Sequence, residues 1–184
     1  MSGRGTLFAA TAGLALLAGC SREDAGAQPE AVTSDAARGT VAAALAGSGD
    51  HRKLAAALTD TQLAPVLDGK GDYTLLAPSD AAFEALGDKG AALAAKDQRP
   101  LMIAVLRGHI LPGQVTLKAI EAAIARKQGP VEMRTMAGGT VTFARAGDGF
   151  TVSNGGVTAK LAEATTAASN GAVLPIDKVL LPAQ

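Results

Sequence analysis

The chain has 184 residues, of which 48% are hydrophobic and only 3% aromatic, and its 17 basic residues balance its 17 acidic ones. A net charge of zero argues against a nucleic-acid binder, which must neutralise phosphates. One cysteine cannot form an intramolecular disulfide or a thiolate zinc site, and two histidines leave little material for a metal cluster. These counts favour a single domain with no metal, no cofactor and a function other than catalysis.

The amino-terminal residues 1–19 have the features of a signal peptide. Arg4 supplies a positive charge, and the apolar stretch from Thr6 to Ala18 is ~13 residues long, shorter than the ~20 that a spanning helix needs. The stretch ends in Leu-Ala-Gly-Cys at residues 17–20, which resembles the bacterial lipobox. The alternative is an ordinary cleavage site that is followed by a buried free cysteine.

The lipobox resemblance implies that Cys20 is acylated and becomes the first residue of the mature chain. One acyl chain anchors a protein only marginally, at ~10⁴ M⁻¹, so the several chains of a lipoprotein make a firm membrane anchor. Ser21 stands where lipoproteins retained in the inner membrane usually carry Asp, so we expect the outer membrane. Residues 20–38 are polar and include Pro29, which predicts a flexible tether between the membrane and the domain.

Residues 39–184 are predicted to form one domain whose first half is mainly helical. Apolar residues at i, i+3 and i+4 predict helices over 40–46, 50–58, 98–108 and 117–128, with a short helical turn at 62–67. Asp50 and Thr116 are the predicted caps of the second and last of these helices. A short apolar run at 73–77 predicts a strand that stops at Pro78, after which Ser79 or Asp80 caps a further helix.

In the second half of the domain, the spacing of apolar residues changes from the helical pattern to the alternation that is typical of strands. Apolar and polar residues alternate over 131–136, 140–145, 150–152 and 157–161, and glycine-rich turns separate these segments. Two more strands are predicted at 172–176 and 179–181. Helices followed by antiparallel strands predict an α+β fold.

Four local patterns, in order, resemble the fasciclin-like domain family. They are Tyr-Thr-Leu-Leu-Ala-Pro-Ser-Asp-Ala-Ala-Phe at 73–83, Leu-Arg-Gly-His-Ile-Leu-Pro-Gly at 106–113, Met-Ala-Gly-Gly-Thr-Val at 136–141, and the segment 169–182. The resemblance implies a wedge-shaped β-sandwich flanked by several short helices. It marks as fold-signature or interaction residues Ala77, Pro78, Phe83, His109, Pro112, Gly113, Asn170, Gly171 and Asp177.

Three of these signature residues have a structural interpretation. Pro78 ends a strand because it lacks an N–H donor, Asn170 opens a tight turn, and Asp177 is expected to bond backbone groups in the bend before Val179. In animal members of the family, the segment around His109 is associated with cell adhesion. Here the preceding residue is Gly108 in place of an aromatic residue, so we expect a partly buried His109 whose ring bonds to the backbone.

The functional hypothesis is a non-enzymatic adhesion or protein-interaction domain, anchored in the envelope, with a protein partner. Ser48 and Ser79 lack the Gly-x-Ser-x-Gly context of a nucleophile, and Asp148 alone has too few oxygen ligands for calcium. The alternative is a carrier of an apolar, pigment- or lipid-like small molecule, since some fasciclin-like proteins bind apolar pigments. A third hypothesis is a structural envelope protein that weakly self-associates. Periplasmic or surface orientation and the oligomeric state stay open.

Overall fold

The helices and strands were assigned in a computed structural model that describes residues 39–182. The predicted signal peptide, the lipidation of Cys20 and the tether lie outside the described residues. The helices are α1 (Val41–Ala46), α2 (Arg52–Asp60), α3 (Ala64–Leu67), α4 (Asp80–Glu84), α5 (Asp88–Leu93), α6 (Arg99–Gly108) and α7 (Leu117–Lys127). The strands are β1 (Tyr73–Pro78), β2 (Ile110–Pro112), β3 (Val131–Arg134), β4 (Thr140–Ala146), β5 (Gly149–Asn154), β6 (Val157–Lys160), β7 (Thr166–Ala168) and β8 (Gly171–Ile176).

Side-chain hydroxyls cap the amino-terminal ends of α1, α4 and α7. Thr40, Ser79 and Thr116 each accept a hydrogen bond from the backbone N–H three residues later, at 3.2 Å. A cap of this kind satisfies one of the amides that the first turn of a helix leaves without a partner. The predicted caps at Ser79 and Thr116 are therefore confirmed.

The predicted cap at Asp50 is wrong. Helix α2 begins at Arg52, and the first-turn amide of Lys53 donates to the Asp80 carboxylate at 2.8 Å. Asp50 instead uses its backbone carbonyl, which accepts from the Asp80 N–H at 2.7 Å. The cap comes from a residue distant in sequence because the starts of α2 and α4 lie side by side.

The strands form two four-stranded sheets, ordered β2-β1-β8-β7 and β3-β4-β5-β6. Strands β1 and β8 pair in parallel, in a register that runs from Tyr73 opposite Gly171 to Pro78 opposite Ile176. The remaining pairs in both sheets are antiparallel. The later strands were expected to be antiparallel, and this is wrong for β8, which pairs in parallel with the predicted strand at 73–77. Hydrophobic period alone does not encode the direction of a distant partner.

Both faces of β1 and β8 are buried. On one face, Leu75, Ala77 and Val173 pack in a hydrophobic cluster with residues of helices α1 to α6. On the other face, Leu76 and Leu174 pack in a second cluster with residues of β4, β5, β6 and α7. The fold is therefore a helical layer, a central sheet and a second sheet, which confirms the α+β prediction with two sheets and several short helices.

Several element boundaries differ from the predictions. Residues 179–181 are not a strand, and β2, β7 and α5 were not predicted. Pro78 is the last residue of β1 and does not stop the strand before it, since the next amide, that of Ser79, continues the ladder to the Ile176 carbonyl at 3.2 Å. A proline at this position costs no ladder bond at a strand end.

Replacing Gly171 by alanine tests the central pairing. A Cβ on Gly171 would overlap the carbonyl oxygen of Tyr73 and lie 2.8 Å from its carbonyl carbon, and φ at Gly171 is +152°. We expect Gly171→Ala to lower the free energy of unfolding by more than about 3 kcal/mol, because backbone must move to admit a methyl group. The measurement is denaturant unfolding followed by circular dichroism.

The matched control is Gly149→Ala. Gly149 is also the first residue of a strand, but a Cβ there meets no atom within 4 Å. This variant should change the free energy of unfolding by less than about 1 kcal/mol. Equal effects of the two substitutions would contradict the close approach of β8 to β1.

Candidate functional site

At the amino ends of β1 and β8, Asn170 connects three segments of the chain. Its side-chain oxygen accepts from the Val41 N–H at 2.8 Å, and its side-chain amide donates to the carbonyls of Leu67 and Gly69, each at 2.8 Å. Its backbone carbonyl also accepts from the Tyr73 N–H at 3.0 Å. Asn170 is 6% exposed, so its polar atoms serve the fold and not an outside partner.

Pro112 and Gly113 lie at this same end of the central sheet. Gly113 has a positive φ of +90°, and its N–H donates to the Asp72 carbonyl at 2.8 Å. The buried hydroxyl of Thr74 donates to the Gly113 carbonyl at 2.8 Å and accepts from the Val115 N–H at 2.7 Å. The structure thus brings Pro112, Gly113, Asn170 and Gly171 together around the start of β1.

The carboxyl ends of β1 and β8 bring together another set of signature residues. Ala77 and Pro78 are buried there, and Asp177 follows β8. The Asp177 carboxylate accepts from the Lys160 N–H at 2.7 Å, and its own N–H donates to the Lys160 carbonyl at 3.2 Å. The expected bonds of Asp177 to the bend before Val179 were wrong, because Asp177 lies beside the end of β6 in the neighbouring sheet.

A depression of about 560 Å³ opens at these carboxyl ends. Its charged residues are Asp50, Arg52, Asp80, Lys160 and Asp177. The Asp80 carboxylate already caps α2 and lies 3.5 Å from the Arg52 guanidinium, so its charge is balanced within the fold. The Arg52 side chain is 82% exposed, so its guanidinium can be reached from outside while it lies beside Asp80.

His51 lines the same depression and was not singled out from the sequence. It is buried, its Nδ1 lies 2.7 Å from the Ser48 hydroxyl, and its Nε2 has no hydrogen-bond partner within residues 39–182. A serine–histidine pair acts as a nucleophile when a third group orients the ring. Since no described residue bonds Nε2, the pair lacks that third group in the described part of the chain.

His109 lies in the interior, away from both ends of the central strands. It is 1% exposed, its Nδ1 lies 2.8 Å from the Val105 carbonyl, and the Leu180 N–H donates to its Nε2 at 3.0 Å. Because Nε2 accepts, the proton sits on Nδ1 and the ring is neutral. Burial lowers the pKa of His109 to about 4, against the opposing effect of the hydrogen bond to Val105.

The burial of His109 is more complete than expected from the sequence, where a partly buried ring was predicted. Both of its ring nitrogens are used, one toward α6 and one toward the segment that follows β8. The bond to Leu180 lies in the segment 179–181, which is not a strand. His109 therefore has no surface on which to meet a partner.

A groove of about 800 Å³ lies among α2, α4, α5 and α6. Its apolar side chains of greatest size are Phe83, Leu93 and Met102, of which Leu93 and Met102 are buried. Small residues form much of the rest, namely Ala56, Ala57, Gly87, Gly90, Ala91, Ala94 and Ala95. We refer to this surface as the helical groove. Phe83 lies in the helical groove, whereas the other signature residues lie elsewhere in the domain.

Charged residues also line the helical groove. They are Lys53, Asp60, Glu84, Lys96 and Arg99. The Lys53 ammonium lies 2.9 Å from the Glu84 carboxylate. Apart from Phe83, no residue of a sequence motif marked this surface, because most of it is assembled from alanines and glycines of separate helices.

Two features are absent from residues 39–182. Within residues 39–182, no group of three or more histidine, cysteine or acidic side chains is placed to hold a metal ion. Over the same residues, no helix has the length and apolar content that crossing a bilayer requires.

The family model described as the fasciclin domain matches residues 49–182. Among curated proteins, the chain is 29% identical over 159 residues to Protein sll1483 of Synechocystis, covering 84% of this chain and 82% of that protein. It is also 30% identical over 129 residues to the transforming growth factor-beta-induced protein ig-h3 of Sus scrofa, covering 70% of this chain but only 17% of that protein.

A solved structure has a similar fold. It is a FAS1 domain pair from the insect cell adhesion molecule Fasciclin I, with a TM-score of 0.60 and 26% sequence identity. The match covers 72% of this chain and 45% of that chain. The similarity includes both sequence and fold.

The burial of His109 makes the stability of the domain depend on pH. The folded-state pKa, about 4, lies below the ordinary value of 6.5, so the unfolded chain binds the proton more readily. This contribution is fully present above pH 6.5 and is lost as the pH falls toward 4. We expect the free energy of unfolding to fall by about 2 kcal/mol between pH 8 and pH 5, as measured by urea unfolding.

The variant His109→Gln removes the titrating group and keeps side-chain polarity. Its free energy of unfolding at pH 8 is expected to be lower than that of the parent chain, but its change between the two pH values should be much smaller. A parent chain and variant with the same pH dependence would show that another group is responsible.

Proposed function

Because the chain belongs to the fasciclin domain family, we propose that it is a lipid-anchored adhesion or protein-interaction domain of the bacterial cell envelope. Fasciclin domains typically mediate protein interactions and are generally non-enzymatic. The single observation that carries the proposal is the family match over residues 49–182. The similarity to Fasciclin I, an insect cell adhesion molecule, supports adhesion as the task.

The proposed anchor is Cys20, at the end of the apolar segment of a signal peptide. Acylation there would hold the chain on the membrane, and the polar residues 20–38 would separate the domain from the bilayer. Ser21 in place of Asp favours the outer membrane over the inner one.

We assign the partner contact to the depression at the carboxyl ends of β1 and β8. The signature residues Asn170 and His109 are buried and bonded within the fold, so they are unsuited to contact a partner. At the depression, the signature segments around Pro78 and Asp177 reach the surface beside the exposed Arg52 and Lys160. The depression also carries the carboxylates of Asp50, Asp80 and Asp177, so its charge is mixed. A partner that places acidic side chains opposite Arg52 and Lys160 would match the two cations.

A second proposed function is carriage of an apolar small molecule. The observation in its favour is the helical groove, whose volume of about 800 Å³ and apolar lining suit a ligand site. Ligand pockets typically measure ~300–1,000 Å³ and have mostly hydrophobic walls.

Crosslinking in intact cells, followed by fractionation, tests the main proposal with the full chain. The parent chain should occur in the membrane fraction and form a discrete crosslink to an envelope protein. The variant Cys20→Ala should leave the membrane fraction, because it has no thiol to acylate. Retention of this variant in the membrane would contradict the lipid anchor.

Charge reversal tests the partner surface in the same experiment. Arg52→Glu combined with Lys160→Glu should lower the crosslinked fraction about tenfold, since the two new carboxylates would repel the acidic side chains of the partner. The control, Lys118→Glu with Lys127→Glu, changes two exposed lysines of α7 and should leave the crosslink unchanged. Equal crosslinking of both double variants would contradict this surface, and absence of any crosslink would contradict the interaction function.

A further inference from the structure

The helical groove combines an apolar lining with an excess of positive charge. Of its five charged residues, three are cationic and two are acidic. Glu84 balances Lys53 at 2.9 Å. Lys96 and Arg99, which flank the start of α6, have no carboxylate of residues 39–182 within ion-pair distance.

The apolar part of the groove offers surface for an apolar chain. Phe83, Leu93 and Met102 offer large apolar side chains, and the surrounding alanines and glycines leave space beside them. Burial of an apolar chain on such a surface gains about 25 cal/mol per Å². Polar groups of a ligand would find few partners beside the alanine and glycine side chains, so the polar part belongs beside the charged residues of the groove.

We propose that the helical groove binds a single-chain amphiphile with a carboxylate head group, of the fatty-acid type. The acyl chain lies against Phe83, Leu93 and Met102, and the carboxylate pairs with Lys96 and Arg99. A guanidinium forms two parallel hydrogen bonds with a carboxylate, which makes such a pair stronger than one between neutral groups. This inference rests on the proposed carrier function and adds the ligand class and its orientation.

The groove can be filled without disturbing the core. Ala56 lies on α2, lines the groove and is exposed. A tryptophan at this position would occupy the space of the ligand. Ala125 on α7 is also an exposed helical alanine but lies outside the groove, so Ala125→Trp is the matched control.

The experiment measures fluorescence of dansyl-labelled undecanoic acid and of its methyl ester on titration with the protein. The full chain with Cys20→Ser is used, because it carries no thioether-linked lipid. For the acid, we expect saturable binding that Ala56→Trp weakens about tenfold or more and that Ala125→Trp leaves unchanged.

Charge reversal then tests the head-group assignment. Lys96→Glu with Arg99→Glu should weaken binding of the acid about tenfold and leave binding of the ester within about twofold. The control pair Lys118→Glu and Lys127→Glu should alter neither.

The outcomes separate this inference from the carrier function. If neither probe binds, or if Ala56→Trp has no effect, both the inference and the carrier function are overturned. If the groove binds acid and ester equally, and charge reversal does not distinguish them, the carrier function stands and the carboxylate assignment is overturned. None of these results bears on the adhesion function, which has its own test.

Discussion

The parallel pairing of β1 with β8 is the constraint on which the rest of the domain depends. It joins an early strand to the last one, so the intervening helices and the whole second sheet are enclosed between them. Closing so long a segment costs entropy, which must be offset by burial. The two strands bury both faces, one against the helices and one against the second sheet, and they thereby contribute to both hydrophobic clusters.

The polar signature residues hold this pair in place. Asn170 ties the start of β8 to α1, to the end of α3 and to the start of β1 through four hydrogen bonds. Asp177 fastens the other end to β6, and His109 links α6 to the chain beyond β8. Because these side chains satisfy buried or semi-buried backbone groups, substituting them would leave polar groups without partners. The hydrogen bonds that these residues make within the fold therefore explain why they belong to the family signature. The surfaces that we assign to ligands and partners are formed mainly by other residues.

The sequence predicted those features that depend on neighbouring residues. The caps at Ser79 and Thr116, the stripe of apolar residues on α7 and the hairpins of the second sheet follow from spacing of a few residues. Features that depend on distant residues were missed or wrong. Asp80 takes the place of Asp50 as the cap of α2, β1 pairs in parallel, and Asp177 bonds to Lys160, since each of these contacts joins segments far apart in the chain. The helical groove gave no signal, because alanine and glycine are common in helices and turns and no spacing marks them as a lining.

Native-state hydrogen exchange tests the central role of the β1–β8 pair most directly. Regions of a protein open with free energies that range from near zero up to that of global unfolding. In β1 the amides of Tyr73 and Ser79 donate toward β8, and that of Leu75 lies on the same edge of the strand. The account predicts that the amides of Leu75 and Leu174 exchange only by global unfolding, with the same free energy that denaturant unfolding gives. If these amides exchange through a smaller opening while those of β4 and β5 remain protected, the second sheet, and not the parallel pair, is the most stable unit of the fold.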